Sequence, residues 1–209
     1  MTRYFTMHCD NPQPRLIKQA AEAIQSGELV AYLTDSGYAF GCALTSRDAL
    51  EKLRRLRGLD ERHPLTLLCH SISEAAQYCQ ISNEVFAILK RYTPGPYTFI
   101  LPATKKVPRL VQGIKRKVVG IRIPQHPIAL ALAQAIGSPI LSSTLWLKGE
   151  SDPIHYPGEI AQKTKGEVDL IIDGGSYQGM PSTVVDLVES TPKVIRKGIG
   201  DPAPFEGAD

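Results

Sequence analysis

Apolar and polar positions along this chain follow two different periods, which divide it into helices and strands. The apolar residues between Leu16 and Ile24 recur at three- and four-residue spacing, and this pattern stops at Gly27. The same spacing predicts a second helix from Ser46, which can cap its first turn, to Arg57. Residues 29–33 form a short apolar run, which predicts a buried strand followed by a polar turn.

The same two patterns predict the remaining elements. Further helices are predicted at residues 73–78, 82–92, 127–136 and 159–165. Further strands are predicted at residues 65–69, 97–101, 118–123, 140–147, 170–173, 183–187 and 194–196. Because strands and helices do not alternate strictly, the pattern favours an α/β fold with a mixed sheet over a purely parallel one.

Length and composition limit the possible classes of protein. A chain of 209 residues, 43% hydrophobic and 22% charged, is typical of one globular domain, predicted here to span residues 1–209. The Pro-, Gly- and acid-rich stretch 201–209 is predicted to be a frayed tail. No apolar run is long enough to span a membrane, and residues 1–10 lack the apolar segment of a signal peptide. We therefore expect a cytoplasmic protein with no membrane partner.

Charge and cysteine spacing exclude some kinds of site. The net charge of +3 is mild, so an anion site would have to come from local clustering of cations. The four cysteines form no CxxC pair and no zinc pattern, and we expect reduced, mostly buried thiols and no bound metal. The sequence also lacks a P-loop, a GxGxxG after a strand, HExxH and GxSxG, which removes support for the corresponding enzyme classes.

A basic run is the first candidate for chemistry. Residues 52–63 contain five Lys or Arg residues and one His. This charge pattern is typical of a solvated helix face, but Arg55 and Arg57 at the helix end could also clamp phosphates with their guanidinium forks. The sequence alone leaves both interpretations open.

Two predicted strands carry polar groups among apolar neighbours. Arg122 lies inside the strand 118–123, and a buried lone charge is costly, so it needs an anionic partner. That partner could be an internal carboxylate or a ligand. Ser142 and Thr144 alternate along their strand and therefore face one side, where they could contact a common ligand.

Six segments in this order resemble the YrdC/YciO family, which includes the threonylcarbamoyl-AMP synthases, and the match looks closest to the YciO branch. The resemblance covers about residues 16–198, the expected core of the domain. The segments are Leu33-Thr34-Asp35 with the following Tyr38 to Gly41, Arg55-Leu56-Arg57, His63-Pro64-Leu65, Pro94 to Thr98, Arg122 to Pro127 and Ser182 to Asp186.

The resemblance implies a twisted mixed sheet flanked by helices, with a large basic cavity. It also implies a reaction in which ATP, L-threonine and bicarbonate give threonylcarbamoyl-adenylate and pyrophosphate, for the modification of tRNA. Mg²⁺ would accompany the ATP. By resemblance, threonine would be held by Thr34, Arg122, Ser142 and Ser182, and ATP by Arg57, His63, Thr144 and Arg196, with Arg55 close to the phosphates.

Three departures from the family pattern bear on activity. Arg55 replaces a Lys, and Leu33 replaces a Pro. Trp146 replaces the Asn of a Ser-Thr-Ser-x-Asn motif, which removes an amide and adds a bulky ring, so we expect slow adenylate formation. The alternative is a non-catalytic protein that binds double-stranded RNA or tRNA on the same basic concave face.

Overall fold

The computed structural model describes residues 1–60, 63, 65–112 and 117–206. Arg62 and Pro64 of the motifs above, and residues 207–209 of the tail, lie outside the described residues. The described strands are β1 Arg3–Thr6, β2 Val30–Thr34, β3 Gly37–Ala43, β4 Thr66–Leu68, β5 Tyr97–Pro102, β6 Val118–Arg122, β7 Ile140–Thr144, β8 Leu170–Asp173, β9 Thr183–Asp186 and β10 Lys193–Arg196.

All of these strands join one mixed sheet in the order β1-β8-β2-β3-β7-β4-β6-β5-β9-β10. The pairs β1·β8, β8·β2, β4·β6 and β5·β9 are parallel, and the other neighbours are antiparallel. The described helices are α1 Pro14–Gln25, α2 Arg47–Arg57, α3 Ile72–Ala75, α4 Asn83–Tyr92, α5 Pro127–Ile136 and α6 Pro157–Lys163. The predicted α/β fold with a mixed, helix-flanked sheet is confirmed.

Local sequence signals set the bounds of helix α2, which carries the basic run. The Ser46 Oγ accepts a hydrogen bond from the Ala49 backbone N–H, as expected of a cap. The helix ends at Gly58, whose φ of 66° is left-handed and therefore suits glycine. These two signals fix the first and last turns of helix α2 and therefore the position of Arg57, its last residue.

The two faces of the sheet are covered differently. Helix α2 packs Ala49, Leu50 and Leu53 into an apolar core on one face. Helices α1 and α5 pack together on the other face, against residues such as Val30 and Tyr32 of strand β2. Their apolar cluster includes residues of β2, β3, β4, β7 and β8, with Phe5 of β1 packed against it, but no described residue of β5, β6, β9 or β10. That part of the second face, together with the neighbouring ends of β7 and β4, carries the polar residues described below.

Two strands were missed by the pattern. Strand β1 is mostly exposed and pairs with β8, more than 160 residues away, so no local pattern indicates it. Strand β3 begins at Gly37 and contains a second glycine, Gly41. Its sequence therefore resembles a turn, yet it forms a hairpin with β2. Helices α3 and α6 begin earlier than predicted, at Ile72 and Pro157.

The described part of the predicted frayed tail is packed. Residues Ala203–Phe205 form a short 3₁₀ helix, and the Phe205 side chain is only 5% exposed. Its ring lies against Tyr92, Tyr97 and Phe99, with centroid separations of 4.8, 5.7 and 5.9 Å. The Pro and Gly content of this stretch predicts fraying. The packing of the Phe205 ring nevertheless holds residues 201–206 against the domain.

Two features of the described residues concern membranes and thiols. None of the helices in the described ranges is long and apolar enough to cross a membrane. Cys42, Cys69 and Cys79 are buried, Cys9 is partly buried, and all four carry free thiols. Burial raises the pKa of the Cys42 and Cys79 thiols to about 12, so both stay protonated at neutral pH.

The packing of Phe205 gives a stability prediction. Phe205→Ala should lower the free energy of unfolding by about 3 kcal/mol, because it removes a buried ring from the aromatic cluster. Phe86→Ala, at a phenylalanine 48% exposed on helix α4, is the matched control and should change it by less than about 0.5 kcal/mol. Urea unfolding measures both; equal effects would mean that the end of the chain is not anchored.

Candidate functional site

A cavity of about 450 Å³ opens on the part of the sheet face that helices leave uncovered. Its floor follows the strand register, in which Ser142 pairs with Thr66, Thr66 with Gly120, and Gly120 with Ile100. Paired residues point to the same side of a sheet, so these four positions form one row. A Cβ at Gly120 would lie 2.7 Å from the Thr66 Oγ1, so glycine keeps the floor open.

The wall of the cavity combines cations, hydroxyls and a few apolar side chains. The cations come from Arg57, Arg122, Arg196 and, when protonated, His63. The remaining lining residues are Ala39, Leu65, Thr98, Ser143, Thr144, Ser182, Val184 and Ile195. No Asp or Glu side chain belongs to this lining, within the described part of the chain.

Arg57 enters the cavity from the C-terminal end of helix α2. Its Nε donates to the Ser143 Oγ at 3.0 Å, and its Nη1 donates to the Trp146 carbonyl at 2.5 Å. Burial, and then the nearby Arg196, lower the pKa of this guanidinium to about 10. Both hydrogen-bond partners are neutral, so the positive charge of Arg57 is left uncompensated by any carboxylate of the described residues.

Arg196 lies on the opposite side, on the edge strand β10. Its Nη2 donates to the Ser182 carbonyl at 2.8 Å, and the Ser182 Oγ lies 2.9 Å from the Thr98 Oγ1. Burial, and then Arg122, lower the pKa of Arg196 as well. Arg57 and Arg196 thus each have a neighbouring guanidinium, a repulsion that a bound anion would relieve.

Arg122 is the buried charge that the sequence left with two possible partners. Its Nη2 donates to the Asp35 Oδ1 at 2.6 Å and to the Thr34 Oγ1 at 3.3 Å. The internal carboxylate is therefore present. One atom on each side of the pair, the Arg122 Nε and the Asp35 Oδ2, is buried without a hydrogen-bond partner. Arg122 also lines the cavity.

His63 lies at the exposed rim of the cavity. Partial burial, and then the positive charge of Arg57, lower the pKa of its imidazole below the ordinary value. His63 is therefore mostly neutral at pH 7 in the unliganded protein. A bound phosphate would reverse the sign of its surroundings and raise this pKa.

The cavity brings together most of the residues carried over from the resemblance. Arg57, His63, Arg122, Ser142, Thr144, Ser182 and Arg196 all line it. Thr34 does not; it is buried behind Arg122, where its hydroxyl donates to the Gly37 carbonyl at 2.7 Å.

Arg55 is the residue whose placement differs most from expectation. Its guanidinium is outside the cavity lining and pairs with the Glu167 carboxylate. Arg55 and Arg57 are two residues apart on one helix, and such neighbours do not share a helix face, so only one of them reaches the cavity. The expectation that Arg55 lies in the cavity beside Arg57 is therefore wrong.

Trp146 also differs from expectation in where its ring lies. The indole N–H donates to the Glu150 carbonyl at 2.9 Å, and the side chain does not line the cavity. The position contributes its backbone carbonyl, which holds Arg57. The cavity therefore lacks the amide of an Asn here but is not filled by the ring.

Sequence reasoning missed several residues of this site. Thr66, Thr98 and Gly120 line the cavity, and Asp35 was quoted as a motif residue without a role. Thr66 and Thr98 are polar positions in apolar strands, the same signal as Ser142, but the pairing register that aligns them is non-local. Within the described ranges, no group of three or more His, Cys, Asp or Glu side chains could hold a metal ion.

The chain was compared with known families, relatives and solved structures. Residues 22–198 match the Sua5_yciO_yrdC family model, which is described as telomere recombination. Escherichia coli (strain K12) YciO, a protein of uncharacterised function, is 46% identical over 205 residues, covering 98% of this chain and all of that protein. Its crystal structure superposes with a TM-score of 0.95 over 99% of this chain and 100% of that chain.

The relatives with a named activity include threonylcarbamoyl-AMP synthases. The threonylcarbamoyl-AMP synthase of Vibrio parahaemolyticus is 30% identical over 185 residues, covering 87% of this chain and 98% of the synthase. That of Pyrococcus abyssi is 32% identical over 186 residues, 87% of this chain but 54% of the synthase. The structure of P. abyssi Sua5 complexed with L-threonine superposes with a TM-score of 0.86 at 30% identity, covering 94% of this chain and 58% of that chain.

The separation of Arg55 from Arg57 gives a binding prediction. Arg57→Ala should weaken the binding of Mg·ATP about ten-fold or more, because one charge-assisted contact to phosphate is lost. Arg55→Ala removes the same charge from the same helix but should leave ATP affinity within about two-fold, since an exposed pair contributes little. Titration calorimetry measures both, with thermal melting as the folding control; equal losses would contradict the placement of Arg55.

Proposed function

We propose that this chain, which belongs to the Sua5/YciO/YrdC family, binds ATP and L-threonine in its cavity and forms threonylcarbamoyl-AMP. The observation that carries the proposal is the cluster of Arg57, Arg122 and Arg196 around one cavity whose described lining includes no carboxylate. Such a cluster suits a polyanionic ligand, and the relatives with a named activity are synthases that use one.

The nucleotide is proposed to lie on the side of Arg57 and Arg196. A triphosphate between them would attract both guanidinium groups and offset the neighbouring positive charge that each one faces, from Arg196 at Arg57 and from Arg122 at Arg196. His63 at the rim and Thr144 at the end of strand β7 are proposed to complete the phosphate site. Mg²⁺ would accompany ATP and be held mainly by phosphate oxygens, because the described residues offer no cluster of metal ligands.

The amino acid is proposed to lie on the side of Arg122, Ser142 and Ser182. The guanidinium group of Arg122 would hold the α-carboxylate, and Ser142 on strand β7 and Ser182, just before strand β9, line the same cavity. The P. abyssi relative whose structure contains L-threonine supports a small amino-acid ligand. Thr34 is proposed to act through Arg122, which it contacts, rather than through the ligand.

The proposed reaction has two steps. The threonine amine attacks bicarbonate, and loss of water gives an N-carboxylate. One oxygen of this carboxylate then attacks the α-phosphorus of ATP, and the bond to the β-phosphate breaks to release pyrophosphate. Negative charge accumulates on the phosphate oxygens in the second step, where the guanidinium groups of Arg57 and Arg196 would stabilise it. No side chain is assigned as a general base.

Binding of double-stranded RNA or tRNA on the same face stays a prediction and is not favoured. The relatives that carry a named activity are synthases. A cavity of about 450 Å³ also suits small ligands better than a duplex, which needs an extended surface.

Pyrophosphate release tests the proposal. Protein incubated with ATP, L-threonine, bicarbonate and Mg²⁺ should release pyrophosphate only when threonine is present. Arg57→Ala, checked for folding by thermal melting, is the control for contaminating activity and should lower the rate at sub-saturating ATP. The proposal fails if no threonine-dependent release is detected at saturating substrates.

Trp146 gives a separate prediction about the rate. Pyrophosphate release should be about a hundred-fold slower than by a synthase with the intact Ser-Thr-Ser-x-Asn motif, since one preorganised polar contact is missing. Replacing residues 144–148 by Ser-Ala-Asn-Leu-Ser should raise the rate, provided that thermal melting shows an intact fold. A wild-type rate equal to that of the synthase would show that Trp146 is not a defect.

A further inference from the structure

A tyrosine beside the cavity has, among the described residues, one hydrogen-bond partner, and that partner is a lining residue. Tyr32 on strand β2 is fully buried, and its Oη lies 2.8 Å from the Ser142 Oγ. Either oxygen could donate in this hydrogen bond. Ser142 itself lines the cavity, so the direction of the bond decides what the serine offers to a ligand.

Gly41 makes this contact possible. Strand β3 lies between β2 and β7, so the tyrosine ring has to pass over β3 to reach Ser142. A Cβ at Gly41 would lie 2.6 Å from the Tyr32 Cε1 and 2.9 Å from the Ile140 Cγ2. Gly41 pairs with Ser142 in the register, so the glycine opens the path at the level of the serine.

The chemistry of a buried phenol fixes the direction. Burial raises the pKa of Tyr32 to about 12, so its O–H stays protonated at neutral pH. Leaving a buried donor unpaired costs about 1–3 kcal/mol, and Ser142 is the acceptor that the described residues provide. The tyrosine proton therefore points at the serine oxygen, and the serine proton has to point elsewhere.

We propose that Tyr32 is a positioning residue that holds Ser142 as a hydrogen-bond donor toward the cavity, where the serine contacts the carboxylate of the amino-acid ligand. This inference rests on the proposed function for the identity of the ligand. It assigns Ser142 to the carboxylate rather than to the ammonium group, which would need an acceptor.

The neighbouring strands support this assignment. Arg122 and Gly120 lie two residues apart on β6 and so share a face, and Gly120 is in the same row as Ser142. Strands β7 and β6 are separated only by β4, so their backbones are about 10 Å apart. The hydroxyl of Ser142 and the guanidinium group of Arg122, which also lines the cavity, are then two donor groups on one face. Two donors match the two oxygens of a carboxylate.

Tyr32→Phe tests the role of the hydroxyl with the ring retained. Calorimetric affinity for L-threonine should fall about ten-fold, while affinity for Mg·ATP and for L-threoninol, which lacks the carboxylate, should stay unchanged. Tyr38→Phe is the matched control, because Tyr38 is equally buried but donates to the Gly175 carbonyl at 2.7 Å outside the cavity. It should leave threonine affinity unchanged.

A double variant and a direct view of the protons complete the test. In a Ser142→Ala background, Tyr32→Phe should cause no further loss of threonine affinity.

Neutron diffraction of the deuterated protein should show the tyrosine deuteron between the two oxygens and the serine deuteron toward the cavity. A serine deuteron on the tyrosine oxygen, or equal losses from Tyr32→Phe and Tyr38→Phe, would overturn the inference. Wild-type protein that binds no threonine would instead refute the proposed function, and the neutron map would still decide the role of Tyr32.

Discussion

Three guanidinium groups surround one cavity of this sheet, and among the described residues only that of Arg122 pairs with a carboxylate. Folding has to hold these cations near one another and partly out of water: burial and then Arg196 lower the pKa of Arg57, and burial and then Arg122 lower that of Arg196. The fold meets this constraint with neutral acceptors: the Ser143 hydroxyl and the Trp146 and Ser182 carbonyls. The positive charges of Arg57 and Arg196 thus remain uncompensated by carboxylates of the described residues, while hydrogen bonds to neutral acceptors hold both side chains in place. Such an arrangement suits the binding of an anion.

Much of the architecture could be predicted from periodicity because the buried faces are regular. Helix α2 began at its Ser46 cap and ended at Gly58, and eight of the strands were recognised as apolar runs. Strand β1 could not be predicted, since its order comes from pairing with β8 at the other end of the chain. Strand β3 was not recognised because it contains two glycines. One of them, Gly41, has no room for a side chain, since the Tyr32 ring passes over it.

The site residues were predicted from the family resemblance more than from physical chemistry. The residues that were misplaced or missed show why. A basic run indicates that cations are present but does not show which of them turn inward, so Arg55 was expected beside Arg57 although it pairs with Glu167. Thr66 was missed because only the strand register aligns it with Ser142, and Thr98 because only the tertiary packing places its hydroxyl 2.9 Å from that of Ser182. The partner of Arg122 was left open, and it is Asp35, which follows strand β2, separated from β6 in the sheet by β3, β7 and β4.

A crystal structure with L-threonine and a non-hydrolysable ATP analogue would show directly whether one cavity holds a nucleotide subsite and an amino-acid subsite. We expect a triphosphate between Arg57 and Arg196 and a threonine carboxylate within hydrogen-bond distance of Ser142 and Arg122. A triphosphate bound to Arg55, or a threonine whose ammonium group faces Ser142, would contradict it.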